Sequence, residues 1–89
     1  MGFETELLEL SETETKNKNR IVVFNDDVNS FDHVIECLIK YCKHKPTQAE
    51  QCTLIIHHNG KCDVKEGDIL DLIPICAALT DNQISATIE

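Results

Sequence analysis

The feature that most constrains this chain is an unbroken run, Ile21-Val22-Val23-Phe24, stopped by three polar residues, Asn25-Asp26-Asp27. β-Branched and aromatic side chains suit a pleated, buried surface, so the run predicts a strand inside the fold. Asn and Asp end it, because their short side chains bond back to nearby backbone and favour turns.

The next segment has the helical period. Phe31, Val34, Ile35, Leu38 and Tyr41/Cys42 recur at three- and four-residue spacing, predicting a helix over 31–43 with Asn29 or Ser30 as cap. Lys40 and Lys43 near its end complement the helix dipole. Pro46-Thr47 opens a second helix, where proline is tolerated in the first turn. That helix carries Ala49, Cys52, Leu54, Ile55 and Ile56, and breaks at Asn59-Gly60. A short strand is predicted over 61–66, then a third helix over 68–79 with Ile69, Leu72, Ile73, Cys76 and Leu79 inward. Pro74 deletes one backbone bond of that helix and is expected to kink it. Ile84, Ala86 and Ile88 alternate with Ser85, Thr87 and Glu89, the pattern of a half-exposed strand. The order β-α-α-β-α-β with short links implies an α+β fold: a three-stranded antiparallel sheet packed against three helices on one face.

Residues 1–19 differ in kind. Five of the 16 acidic residues lie there, followed by Lys16-Asn17-Lys18-Asn19 with no apolar residue. They are expected to form a mobile acidic arm before a domain over 20–89. A domain of about 70 residues buries only around 60% of its unfolded surface, leaving little room for a large catalytic cleft. The formal charge of −8 and the lack of any basic face argue against nucleic acid as a partner. No apolar run approaches the ~20 residues that span a bilayer, and no signal peptide is expected at the N-terminus. Met1-Gly2 resembles a myristoylation start, but Glu6 stands where that motif wants Ser or Thr. Five cysteines, none in a C-x-x-C pair, fall largely in apolar periodic segments and read as buried thiols of a cytoplasmic protein.

Polar groups stand at the ends of apolar elements: Asn25-Asp26-Asp27 after the first strand, and His57-His58 at the end of the second helix. An amide oxygen, a carboxylate and a neutral imidazole are all hydrogen-bond acceptors. Gathered at one point they match the three N–H donors of an α-ammonium group, with an apolar hollow beside them for a side chain. Equally, Asn-Asp-Asp after a strand is ordinary turn chemistry, and His-His-Asn-Gly an ordinary polar helix end.

Residues 20–62 resemble the bacterial ClpS family, adaptors that pass N-end-rule substrates to Clp AAA+ unfoldases. The resemblance rests on Val22-Val23-Phe24-Asn25-Asp26-Asp27 and Ile56-His57-His58-Asn59-Gly60-Lys61, at the family's spacing without a gap. Thr87-Ile88-Glu89 looks like the family's closing strand. It implies an adaptor, not an enzyme, that recognises proteins bearing bulky hydrophobic N-terminal residues. Asn25, Asp26, Asp27 and His57 match its α-amino contacts. Phe31, Val34, Thr53, Leu54 and Ile56, with Ile84 from the last strand, match its hydrophobic pocket. His58 receives no role. The implied partners are the N-terminal segment of a substrate and the N-terminal domain of a Clp unfoldase, with a monomer expected and no cofactor, metal or membrane.

This chain departs from the family in three places. Phe31 and Thr53 stand where methionines are usual, so a shallower or more polar pocket with altered preference among Phe, Tyr, Trp and Leu is expected. Cys62-Asp63-Val64-Lys65-Glu66-Gly67 replaces a Cys-Gly-Val-Phe-Thr-type stretch, and about half a dozen residues are missing before the last strand. Docking residues for the unfoldase therefore do not transfer. Two other classes compete. A hydrolase built on an Asp–His pair lacks a Gly-rich elbow or a catalytic cysteine context. A metal-binding or redox-responsive small regulatory domain would use His33, Cys37, Cys42 and His44, which spread around a helix axis instead of converging.

Overall fold

The structure is a computed structural model that describes residues 18–89. Six elements succeed one another: β1 (Asn19–Phe24), α1 (Phe31–Cys42), α2 (Pro46–Asn59), β2 (Lys61–Gly67), α3 (Ile69–Asp81) and β3 (Ala86–Ile88). The sheet runs β2-β1-β3 with both pairings antiparallel. The Ile21-Val22-Val23 run is its central strand, and all three residues are excluded from solvent. Ile21 and Val23 join a core with Leu38 and Cys42 of α1, Ala49 and Ile56 of α2, Leu72 and Leu79 of α3, and Ile84.

Local chemistry sets the element ends. The Ser30 hydroxyl accepts from the His33 N–H at 3.1 Å and so caps α1. Lys43 ends that helix in the left-handed region at φ 62°. Gly60, at φ 94°, ends α2 and donates its N–H to the Ile56 carbonyl. That conformation suits glycine and turns the chain directly into β2. The β1–β2 register slips between Ile21, opposite Lys65, and Val22, opposite Asp63. Val64 is the extra residue of this bulge. Its carbonyl accepts from His44 Nε2 at 2.6 Å, so the buried imidazole fastens the end of α1 to the sheet.

Several expectations need correction. β1 begins at Asn19, paired with Gly67, so this residue belongs to the sheet and not to the arm; positions 1–17 lie outside the described residues. On α1, Cys37 is buried while Phe31 keeps 38% of its surface exposed. On α2, Thr53 is buried and Leu54 and Ile55 face out. On α3, Leu72 and Leu79 are buried with Ile75 and Cys76 packed on the core, whereas Ile69 and Ile73 are exposed. In each case more apolar residues are present than one helix face can hold, so period alone does not choose among them. Pro74 lies inside α3, as expected, and the helix runs on past it to Asp81. The bond it removes would have ended on the carbonyl of Leu70, a residue 78% exposed, where water is an available partner. β3 covers only three residues, and Ile84 precedes it as a buried link residue.

Candidate functional site

A cavity of about 190 Å³ opens where the C-terminal end of β1, the loop after it, the start of α1, the end of α2 and the link before β3 meet. Two backbone bonds create this meeting point. The Asn25 N–H donates to the Gly60 carbonyl at 2.8 Å, fastening the end of β1 to the end of α2. The Phe24 N–H donates to the Ser85 carbonyl at 2.8 Å, fastening the same strand end to the link before β3. Asn25 and His57, 32 positions apart in sequence, thereby come to one rim.

Of the residues singled out from sequence, Asn25, Asp26, Phe31, Val34, Thr53, Ile56, His57 and Ile84 line the cavity. Asp27 and Leu54 lie off its wall, and both are exposed. Val23, Phe24, Asn29 and Ser30 also line it, and sequence reasoning misses them as site residues. Asn29 leaves a readable trace, since an amide three residues after Asp26 completes an Asx-type turn.

The wall is apolar and the rim polar. Thr53, buried, donates its hydroxyl to the Ala49 carbonyl at 2.8 Å, so the proton is spent inside α2. The Phe31 ring meets the His57 ring edge to face at 5.7 Å between centroids, and His57 meets His58 likewise at 5.2 Å. Phe31 and His57 form one lip of the cavity, with His58 behind His57, in a geometry favoured for ring pairs. Asp26 organises the opposite loop. Its Oδ1 accepts from the Val28 and Asn29 N–H groups, both at 3.0 Å. Its Oδ2 accepts from Asn29 Nδ2 and from the Ser85 hydroxyl, again both at 3.0 Å. Burial pushes this carboxyl up, but the bonds from Asn29, Val28 and Ser85 outweigh it and hold the group below its usual 3.8.

The sulfur and imidazole groups meet elsewhere. His33 Nε2 faces the Asn82 carbonyl at 2.9 Å and lies 3.7 Å from Cys37 Sγ. Among the described residues no three His, Cys, Asp or Glu side chains converge as metal ligands would. All five cysteines are free. Burial pushes the Cys42 thiol up to about 11, and burial with Cys52 as neighbour pushes Cys62 up to about 12. Burial also raises Cys37 and Cys76. These four thiols carry little of the thiolate form that redox chemistry needs.

Comparison with known proteins bears on the family and the fold. The profile of the family described as "ATP-dependent Clp protease adaptor protein ClpS" matches residues 14–85. The ClpS adapter protein of Campylobacter jejuni subsp. doylei is 35% identical over 58 residues, covering 65% of this chain and 60% of that protein. That of a Nostoc species is 39% identical over 49 residues, 54% of this chain and 50% of the relative. The chain thus aligns with little more than half the length of these relatives. Among solved structures, Agrobacterium tumefaciens ClpS2 bound to L-phenylalaninamide superposes with a TM-score of 0.76. It covers 82% of this chain and 95% of that one, at 14% identity, a likeness of fold. An α+β sandwich of this topology is the adaptor fold, and this chain belongs to the ClpS family of Clp protease adaptors.

Proposed function

We propose that this chain is a non-catalytic adaptor that grips the free α-amino group and bulky apolar first side chain of a substrate protein and presents it to a Clp AAA+ unfoldase. The observation that carries the reading is a cavity for one side chain, apolar in its wall (Val23, Val34, Ile56, Ile84) and rimmed by acceptors at Asn25 and His57. Asp26 and Asp27 add negative charge on the loop beside it, which favours an ammonium ion. The ligand of the Agrobacterium relative, an amino-acid amide with a free amine and a phenyl side chain, has the chemistry such a site would select. Five free thiols fit a reducing compartment, and we place the chain in the cytoplasm as a monomer. Residues 1–17 would serve the hand-over to the unfoldase.

The test is a titration with short peptides that share every residue but the first, each in free and amino-acetylated form. Peptides opening with Phe, Tyr, Trp or Leu should bind. Val and Ile should bind less, because a branched Cβ fits poorly past Phe31. Acetylation leaves one N–H where three stood and removes the charge, so affinity should fall about tenfold or more, since an unpaired acceptor costs about 1–3 kcal/mol. Equal affinity for free and acetylated peptides would refute the proposal. Hydrolysis of the peptides by the purified chain would refute its non-catalytic part.

A further inference from the structure

The segment from Asn82 to Ser85 carries one wall residue of the cavity, Ile84, and both chain neighbours of that residue are held by the loop after β1. The Gln83 carbonyl accepts from Asn29 Nδ2 at 2.8 Å. The Ser85 hydroxyl donates to Asp26 Oδ2 at 3.0 Å, and the same Asn29 amide donates to both Asp26 oxygens. Gln83 sits at φ 68°, a left-handed conformation uncommon for a residue with a side chain, which its surroundings must sustain. Asn82 is anchored too, its carbonyl facing His33 Nε2 at 2.9 Å. Ile84 itself is 3% exposed, with its N–H donated to the Leu79 carbonyl.

The same bonds define what Asp26 does. A carboxylate offers about four lone-pair sites. Here the Val28 N–H, the Asn29 N–H, the Asn29 amide and the Ser85 hydroxyl occupy them. Asp26 lines the cavity, yet its acceptor capacity is committed to the loop and the link. We propose that Asp26, Asn29 and Ser85 form a positioning clasp that holds Ile84 in the cavity wall, and so sets how first residues are ranked by size. The clasp rests on the proposed peptide binding for its consequence, though not for its geometry. Ile84 precedes β3, and two backbone bonds, Phe24 N–H to the Ser85 carbonyl and Ile84 N–H to the Leu79 carbonyl, tie its link to β1 and α3; the clasp adds the side-chain ties that set its depth against the loop after β1. One methylene more or less in a ligand changes its preference for an apolar pocket about 10-fold or more, so a wall residue that sets the depth of the pocket sets the ranking.

Two variants cut the clasp without touching the cavity's apolar wall. Ser85→Ala removes one tie to Asp26, and Asn29→Ala removes the bridge between Asp26 and Gln83. Ser85→Thr keeps the hydroxyl and serves as rescue. The affinity ratio of Phe-first to Leu-first peptides should shift at least about fivefold in Ser85→Ala, and further in Asn29→Ala. It should return towards the parent value in Ser85→Thr. Acetylated peptides should stay rejected by every variant. In parallel, the Ile84 methyl resonances should move in both alanine variants, at unchanged overall fold by far-UV CD, and return in the threonine variant. Unmoved Ile84 resonances, or an unmoved ratio in folded variants whose parent binds peptide, would overturn the clasp. If the parent chain binds neither peptide, the peptide-binding reading falls, and the Ile84 resonances alone then uphold or overturn the positioning role.

Discussion

Asp26 and Asp27 are adjacent and chemically identical, yet the fold gives them different surroundings. Asp26 turns back to collect four donors from its loop and from Ser85, while Asp27 stays in solvent. Because the folded state holds Asp26 below its usual 3.8, it binds fewer protons there than the unfolded state does. Its stabilisation is therefore present above pH 3.8 and is lost as pH falls below that value through the lower folded one. Urea unfolding followed from neutral pH to about pH 2.5 should show part of the acid loss vanishing in Asp26→Asn; an identical acid profile for that variant would argue against it. At neutral pH the same substitution turns an NH₂ group towards other donors and should cost about 1–2 kcal/mol. His57 and His58 make a second contrasting pair. His57 lines the cavity and meets the Phe31 ring, whereas His58 lies off the cavity and meets the His57 ring edge to face. His57→Ala should weaken peptide binding about tenfold or more, His58→Ala by less than about threefold; the reverse order would mean that the wrong ring has been assigned. The family resemblance singles out His57 but cannot divide the two aspartates, because only the paths of the loop and of the distant Ser85 distinguish them.

Among the elements, those bounded by strong local signals are legible in the sequence. Ile21–Phe24 with its polar stop, the Pro46 start of α2 and the Gly60 end of the same helix all lie where propensity and stereochemistry put them. Helix faces are harder. α3 holds Ile69, Leu70, Leu72, Ile73, Ile75 and Leu79, and only tertiary packing decides that Leu72 and Leu79 go inside. The link carrying Ile84 reads as strand because its alternation continues that of β3, although only Ala86–Ile88 pair with β1. Gly60 offers a test at this scale. Nothing lies within 4 Å of a Cβ built there, so Gly60→Ala meets no clash and its cost comes from φ 94° alone. Alanine should destabilise by about 1 kcal/mol or more, read from the denaturant midpoint. Since the Gly60 carbonyl receives the Asn25 N–H, peptide affinity should fall as well. A neutral effect on both would show that the helix end relaxes freely. Ser30→Ala removes the α1 cap and should cost about 1 kcal/mol in stability.

At the scale of the whole molecule, a small core is organised around one strand, and the site lies where that strand ends. The described domain closes on itself at β1. Asn19 pairs with Gly67 and donates its amide to the Glu89 carbonyl, and Arg20 exchanges backbone bonds with Glu89. Arg20 also lies 3.3 Å from Asp63 and 3.6 Å from Glu89, exposed ion pairs of small energetic worth. The cavity is at the other end of β1, beyond Phe24. The described chain therefore enters the sheet at Asn19, at the end of β1 opposite the site; the six residues of that strand span roughly 20 Å at about 3.3 Å per residue. Deleting Met1 to Asn17 removes no described core residue and leaves every cavity residue in place. Stability should change by less than about 0.5 kcal/mol, and peptide affinity by less than about twofold. Delivery is a separate matter. A tether lets a machine engage one part of the chain while the cargo stays close at raised effective concentration. Degradation of a substrate with a Phe first residue by a Clp unfoldase and its peptidase should accordingly slow several-fold with the truncated chain. Measuring both quantities on one pair of preparations separates gripping from hand-over. Weakened peptide binding would place the first 17 residues at the site, and unchanged degradation would show that they take no part in delivery.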